Sequence, residues 1–262
     1  MTTKILICKK EALDEMKKTK EDYIFGINPV TEAILSGKEI ERILVKRDAK
    51  GDGMDQLIGL IKKHRLPYQF VPLQKLQRIT RKNHQGVVAY LSPIEFIDIE
   101  NFIPQIFEQR KNPFLVILDR VTDVRNFGSV SRVAECAGAD MIIIPVKESA
   151  QVNSEAVKTS SGALNYLPVG RTFDLKRTCL FLKNSGIRLI AATEKASFKY
   201  TEIDYHEPTA IVMGSEYKGV SPKLLELADQ KVTIPVRGQI DSLNVSAAAA
   251  VIMYEVVRQR LL

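Results

Sequence analysis

Three short segments in the C-terminal half carry polar residues at spacings that could do chemistry. The first is Asp123-Val124-Arg125-Asn126-Phe127-Gly128-Ser129-Val130-Ser131-Arg132. It reads as a strand-to-helix transition, with Asn126 as N-cap of a helix running from about Phe127 to Ala137. Arg132 falls within the next two turns, and free N–H groups converging with an arginine can receive a phosphate. A capped helix with a surface arginine explains the same residues. The second segment, Ile211 to Val220, runs an apolar strand into Gly214-Ser215-Glu216-Tyr217-Lys218-Gly219. Glycine lets a ligand come close to the backbone, and such loops at the carboxyl ends of strands form the ligand crevice of open α/β sheets. A simple turn is the alternative. The third is Ile234-Pro235-Val236-Arg237-Gly238 followed by Asp241-Ser242-Leu243-Asn244-Val245-Ser246. It caps a helical tail, but Ser242, Asn244 and Ser246 are more than one cap requires.

These segments need a frame, and the pattern around them is that of an α/β fold with a mostly parallel sheet covered by helices on both faces. Phe114 to Leu118 is a continuous apolar run ending at Asp119, as a buried strand would be. Met141 to Ile144, Ile187 to Ala192, Ala210 to Met213 and Val232 to Ile234 read as further strands. Asp174 caps a helix reaching Asn184, Pro222 to Leu227 is a short helix, and Val245 to Leu261 is a long final one. Upstream, strands at Ile40 to Val45, Tyr68 to Val71 and Val87 to Leu91 alternate with a helix over Met54 to Lys63. Asn28-Pro29 resembles a helix start, with Asn28 as cap and Pro29 in the first helical position. With 262 residues the chain suits two domains. The division expected is a polar extension over 1–20, a small α/β domain over 21–92, a connector over 93–112 rich in proline with a short helix near Ile99 to Gln109, and a larger α/β domain over 113–262.

Composition narrows the partners. The formal net charge is +7, which suits an anionic partner. No acidic residue occurs between Asp55 and Glu95, where Lys62, Lys63, Arg65, Lys75, Arg78, Arg81 and Lys82 cluster with Tyr68 and Phe70 among them. Such a patch attracts a phosphate backbone, and exposed aromatic rings can stack on unpaired bases. A solvated basic face with Tyr68 and Phe70 turned inside reads the same residues equally well. The three cysteines, Cys8, Cys136 and Cys179, are widely spaced, as are His64, His84 and His206, so neither a disulfide framework nor a metal site is expected. No apolar run approaches the roughly 20 residues that span a bilayer, and a cytoplasmic protein without a membrane partner is expected. No Gly-x-Gly-x-x-Gly follows a strand, which argues against a dinucleotide-dependent oxidoreductase.

Taken together and in this order, the three segments resemble the SpoU (TrmH-like) branch of the SPOUT RNA methyltransferases. The resemblance covers Phe114 to Leu262 and includes Lys158 to Leu164, with Ser161-Gly162-Ala163. Phe25-Gly26-Ile27-Asn28-Pro29-Val30 and His84-Gln85-Gly86-Val87 are similar to that family's N-terminal RNA-substrate-binding domain. Two residues depart from its pattern: Val124 stands where proline is usual, and Tyr217 where a small residue is common.

The resemblance implies a C-terminal trefoil knot, a homodimer with each active site completed by both subunits, and methyl transfer from S-adenosylmethionine to a ribose 2′-hydroxyl of RNA. It implies cofactor contacts from Gly214, Ile234, Leu243, Thr193 and Ser246, and a reacting centre lined by Arg132, Asn126, Glu216, Ser242 and Asn244. RNA contacts are expected from Lys62, Lys63, Arg65, Arg78, Arg81, Lys82 and Arg125. The family's extra N-terminal domain points to 23S ribosomal RNA as target, with transfer RNA, or a non-catalytic ribosome-assembly role on the same fold, as alternatives. DNA lacks the 2′-hydroxyl and is not an expected substrate.

Overall fold

A computed structural model describes residues 23–109 and 112–261. The N-terminal extension, residues 1–20, lies outside the described residues. The chain divides into two compact units, one ending at Pro93 and the other beginning at Ile94.

The first unit has four strands, β1 (Tyr23–Phe25), β2 (Ile40–Lys46), β3 (Tyr68–Val71) and β4 (Val87–Leu91), in the order β1-β4-β2-β3. Helices α1 (Ile27–Leu35) and α2 (Asp52–Lys63) cover one face, where Val30, Ile34, Met54, Leu57 and Ile61 pack on Ile43, Val45, Val87 and Ala89. A short helix, α3 (Leu73–Ile79), meets the opposite face, with Leu76 buried against Leu44, Val71 and Val88. Alternation along β2 and β4 explains this, since successive side chains of a strand point to opposite faces. The start of α1 differs from expectation. Gly26 occupies the N-cap position with φ of 93°, so Asn28 and Pro29 fall inside the first turn, where a missing N–H does no harm. The cap comes from afar: Ile27 N donates to Gln85 Oε1 at 2.9 Å, which ties the two stretches singled out in this half to one point.

The second unit is built on an eight-stranded sheet ordered β10-β12-β9-β11-β6-β7-β8-β5. Its strands are β5 (Phe96–Ile97), β6 (Phe114–Asp119), β7 (Met141–Pro145), β8 (Val169–Thr172), β9 (Arg188–Ala192), β10 (Phe198–Lys199), β11 (Thr209–Gly214) and β12 (Gln230–Thr233). Every pairing in it is parallel among the described residues. Along β6, Phe114, Val116 and Leu118 share a core with α5 (Val124–Cys136), the short α6 (Ser154–Thr159) and α9 (Val245–Leu261). Leu115 and Ile117 face the other way, toward α4 (Ile99–Gln109), α7 (Leu175–Asn184) and α8 (Pro222–Leu227). Burial on both faces is what a parallel sheet requires, and it accounts for the unbroken apolar run of β6. Of the stretch 93–112, expected to be a connector with a short helix, residues 94–109 belong to this unit. Phe96 and Ile97 pair with β8, and Ile99, Ile103 and Ile106 are buried on the sheet. The i, i+4, i+7 spacing of those isoleucines is helical, and Pro104 sits within the helix without ending it. No helix among the described residues is long and apolar enough to cross a membrane.

The last helix is anchored at its C-terminal end. Glu255 is buried and takes a two-pronged hydrogen bond from Arg258, at 2.7 and 2.8 Å, which holds its carboxyl below the usual carboxylate range. Gln259 bridges Glu255 to Ile203 O and to Tyr205 N. Fixing this end fixes the register of α9, and with it the position of Asn244 and Ser246 at the other end.

Candidate active site

Three neighbouring parallel strands, β12, β9 and β11, end on the same side of the sheet. The loops that leave them, with α9 behind, enclose a cavity of about 550 Å³. Thr193, Glu194 and Lys195 follow β9, Gly214 ends β11 and Ser215 to Gly219 follow it, and Ile234, Val236, Asp241, Ser242 and Leu243 follow β12. Val245, Ala248 and Ile252 of α9 supply an apolar wall.

The β11 loop is shaped by its own backbone. Gly219 N donates to Ser215 O at 2.9 Å and Lys218 N to Ser215 Oγ at 3.2 Å, so the chain folds back over Gly214. A Cβ on Gly214 would stand 2.0 Å from the Gly219 carbonyl carbon and 2.1 Å from Val220 N. Glycine is thus required here by the closeness of the loop itself, not only by a ligand. From outside, Arg120 Nη2 donates to Gly219 O at 3.1 Å, and the buried Asp119 carboxylate accepts from Ser221 N at 2.6 Å.

At the cavity mouth three side chains from distant parts of the sequence form one network. Asn126 Nδ2 donates to Glu216 Oε1 at 3.1 Å. Asn244 Nδ2 donates to Asn126 Oδ1 at 3.0 Å and also to Glu216 Oε1. Asn244 Oδ1 accepts from Ser246 N at 2.9 Å and from Ser246 Oγ at 2.6 Å. Every amide oxygen and nitrogen has a consistent role, which defines the orientation of both asparagines. Glu216 Oε2 accepts no hydrogen bond among the described residues, so one carboxylate oxygen is held by amides and the other is open.

The start of α5 differs from expectation in a way that makes this network possible. Asp123, not Asn126, is the N-cap, its carboxylate accepting from Asn126 N at 2.8 Å. Either residue type can cap a helix. With Asp123 in that role, Asn126 sits in the first turn and its side chain is released toward Glu216. Val124 occupies the first helical position, where proline is also well tolerated, so its departure from the family pattern is conservative. Asp123→Ala should cost about 1 kcal/mol, the usual worth of such a cap, and loosen Asn126. Urea unfolding checks this, and an unchanged midpoint would show that the cap contributes nothing.

The residues expected from sequence are not all brought together. Gly214, Ile234, Leu243, Thr193, Glu216 and Ser242 line the cavity. Ser246 is not among its walls and holds Asn244 instead. Arg132 is exposed on α5, lines no part of the cavity, and makes no hydrogen bond or ion pair among the described residues. It stands six residues after Asn126, about 9 Å further along the axis and on another side of the helix. Arg125 is exposed and pairs with Glu155 at 3.5 Å. Glu194, Lys195 and Asp241 were not expected in the cavity; their position after strands β9 and β12 was the available signal. Lys62, Lys63, Arg65, Arg78, Arg81 and Lys82 are all exposed on the first unit. Tyr68 and Phe70, 37% and 43% exposed, are not turned inside.

Comparison with known proteins decides the family. A model of the SpoU rRNA methylase family matches residues 113–254, and a model for RNA 2′-O ribose methyltransferase substrate binding matches residues 23–97. The chain belongs to the SpoU methylase family. A Staphylococcus saprophyticus protein, named provisionally as a TrmH family tRNA/rRNA methyltransferase, is 36% identical over 92% of this chain and 97% of its own. The SpoU methyltransferase AviRb from Streptomyces viridochromogenes, solved with AdoMet, is 26% identical, covers 91% of this chain and 90% of its own, and superposes with a TM-score of 0.59. An AdoMet-bound rRNA methyltransferase from Sinorhizobium meliloti is 25% identical, covers 97% and 91%, and has the same TM-score of 0.59. The two family models fall on the two units in turn, so this SpoU member is an RNA methyltransferase with a substrate-binding unit ahead of its catalytic unit.

Proposed function

We propose that the protein is an S-adenosylmethionine-dependent 2′-O-ribose methyltransferase acting in the cytoplasm on 23S ribosomal RNA. The observation that carries this reading is the Asn126–Glu216–Asn244 network at the mouth of a cavity made by three strand ends. The cavity suits the cofactor. Its volume of about 550 Å³ lies in the ordinary range for small-molecule sites. Ile234, Leu243, Val245 and Ile252 offer an apolar wall to an adenine, and the carboxylates of Glu194, Glu216 and Asp241 outnumber the cations of Lys195 and Lys218, as a cationic ligand favours. Gly214, Ile234, Leu243 and Thr193 would hold the cofactor, whose sulfonium supplies an activated methyl group. A knotted C-terminus belongs to the same proposal.

The chain's own task is to place a ribose hydroxyl and stabilise the charge that grows on its oxygen. Positioning alone can supply a large part of such an acceleration. The open Glu216 Oε2 is an acceptor for a hydroxyl, and its companion oxygen is immobilised by two amides. Arg132 is assigned to electrostatic stabilisation, not proton removal, because a guanidinium stays protonated at neutral pH. Its exposure away from the cavity of its own chain favours a homodimer in which it serves the partner's site. Tyr217, Ile240 and Leu243, exposed to 97%, 77% and 43% around the cavity, offer apolar surface for a second copy or for RNA to cover. Ribosomal RNA is favoured over transfer RNA by the near-complete coverage of the chain by a structure named as an rRNA methyltransferase.

Mapping 2′-O-methyl positions in total RNA from cells with and without the gene tests the reading. One 23S position should lose its mark. Loss from transfer RNA would move the target, and no loss anywhere would favour the non-catalytic assembly role. With the purified protein, Arg132→Ala should abolish transfer, whereas Arg132→Lys should retain measurable turnover; equal loss in both would contradict a purely electrostatic role.

A further inference from the structure

The sheet of the first unit carries two basic clusters, and they lie on opposite faces. Lys62, Lys63 and Arg65 belong to the end of α2 and the turn after it. The edge strand β3 turns Tyr68 and Phe70 to that same side, since they stand opposite Ile43 and Val45 in register. Their rings meet edge to face, with centroids 5.6 Å apart.

The other face is different. Here α3 covers only part of the sheet, and the half-buried rings of Phe25, Tyr23 and Tyr90 form a row beside it, with neighbouring centroids 6.3 and 6.1 Å apart. A cation stands at each end: Arg42 lies 5.0 Å from the Tyr90 ring centre and Lys82 lies 6.0 Å from that of Phe25. Tyr23 is pinned to α3 by a hydrogen bond from its hydroxyl to Ile79 O at 3.3 Å. Between α3 and the sheet runs a groove of about 700 Å³, whose walls include Arg42, Lys75, Arg78 and Tyr90 and no carboxylate.

We propose that this groove, and not the Tyr68–Phe70 edge, seats a single-stranded segment of the RNA substrate. Lys75 and Arg78 take backbone phosphates, and a base packs beside Tyr90 with Arg42 at its rim. Lys75 and Arg78, in a groove whose walls include no carboxylate, create a site for a repeated anion. An aromatic ring among them supplies the stacking surface that unpaired bases use and that duplex does not need. The inference rests on RNA being the substrate, but it concerns binding by the first unit and no step of methyl transfer.

The test is fluorescence anisotropy of the full chain with a labelled oligouridine of about 16 nucleotides, the upper span of a common single-strand site. Lys75→Glu/Arg78→Glu should weaken binding at least tenfold. The neutral pair Lys75→Ala/Arg78→Ala should reduce the slope of log affinity against log salt by about 1.4, two phosphates at roughly 0.7 each for a single strand. Both positions are exposed, and thermal melting confirms that the variants fold. Lys62→Glu/Lys63→Glu should change affinity less than about threefold, since those charges act only through the long-range field. Equal or greater loss in the α2 pair, unchanged affinity in the α3 pair, or no binding of the unaltered protein up to about 100 μM, the weak end of non-specific affinity, would each overturn the proposal. Calorimetry with S-adenosylmethionine on the same preparations separates the two readings. Absent cofactor binding with α3-dependent RNA binding would sink the methyltransferase assignment and leave the groove standing.

Discussion

Asn244→Asp should lower the single-turnover rate of methyl transfer by about 100-fold or more, the usual penalty for misplacing reacting groups by an ångström. The substitution is nearly isosteric. The new carboxylate can still accept from Ser246 N and Oγ, so the cap on α9 survives and the melting temperature should change little. What is lost is the donor that Asn244 presents to Asn126 and Glu216. In its place a second negative charge faces Glu216 Oε1, and the pair repels. Two carboxylates in contact raise each other's affinity for a proton, so one of them should protonate as pH falls through the weakly acidic range. A protonated carboxyl is again a donor. The ratio of variant to unaltered rate should therefore improve as pH is lowered, and cofactor affinity, measured by calorimetry, should stay within a few-fold throughout because Asn244 does not line the cavity. A variant with full activity at neutral pH would show that the network has no part in the reaction.

Gly214→Ala should disable the protein in another way. The added methyl would lie 2.0 to 2.3 Å from backbone atoms of Gly219 and Val220, which are not flexible side-chain ends. The loop cannot simply swing aside, because Arg120 holds Gly219 O and Asp119 holds Ser221 N. Overpacking of this kind costs about 1–3 kcal/mol, which for a domain of this size lowers the melting temperature by about 2–4 °C per kcal/mol. Glu216, Tyr217 and Lys218 must move with the loop, so cofactor binding should weaken at least tenfold and transfer should be lost. Gly238→Ala is the control. It lies in the loop after β12, and a Cβ there meets nothing within 4 Å. It should leave stability and binding close to those of the unaltered protein. Equal effects from the two substitutions would mean that the close approach at Gly214 is not what the site depends on.

Much of the second unit is legible in the sequence because its physics is local. The apolar run Phe114 to Leu118 reads as a buried strand and is one, and Val245 to Leu261 repeats its apolar residues at helical spacing. Local physics also misleads. Asp123 and Asn126 are both good caps, and only the position of Glu216, 90 residues away, shows why Asp123 takes the role. Asn28-Pro29 has the composition of a helix start, but α1 begins two residues earlier than those residues imply, with Gln85 accepting from Ile27 N. The prolines of residues 93–112 suggest a connector; the short helix expected near Ile99 to Gln109 is present, but the burial of Ile99, Ile103 and Ile106 on the sheet is not legible from them. The site was legible chiefly through resemblance. No spacing rule connects Asn126, Glu216 and Asn244, since parallel crossovers bring them together across 90 and 118 residues. The same resemblance places Arg132 and Ser246 at the reacting centre and the cofactor, and within one chain neither lines the cavity. Ser246 donates to Asn244 instead, and on the proposed reading Arg132 serves the site of a second copy.

The most direct test is a crystal structure of the protein with S-adenosylmethionine. The cofactor should lie in the cavity between the loops after β9, β11 and β12, against Gly214, Ile234 and Leu243, with its methyl group directed toward Glu216 and with Arg132 of a second copy approaching the same mouth. Density for the cofactor elsewhere on the protein, or an empty cavity at millimolar concentrations, would contradict the assignment.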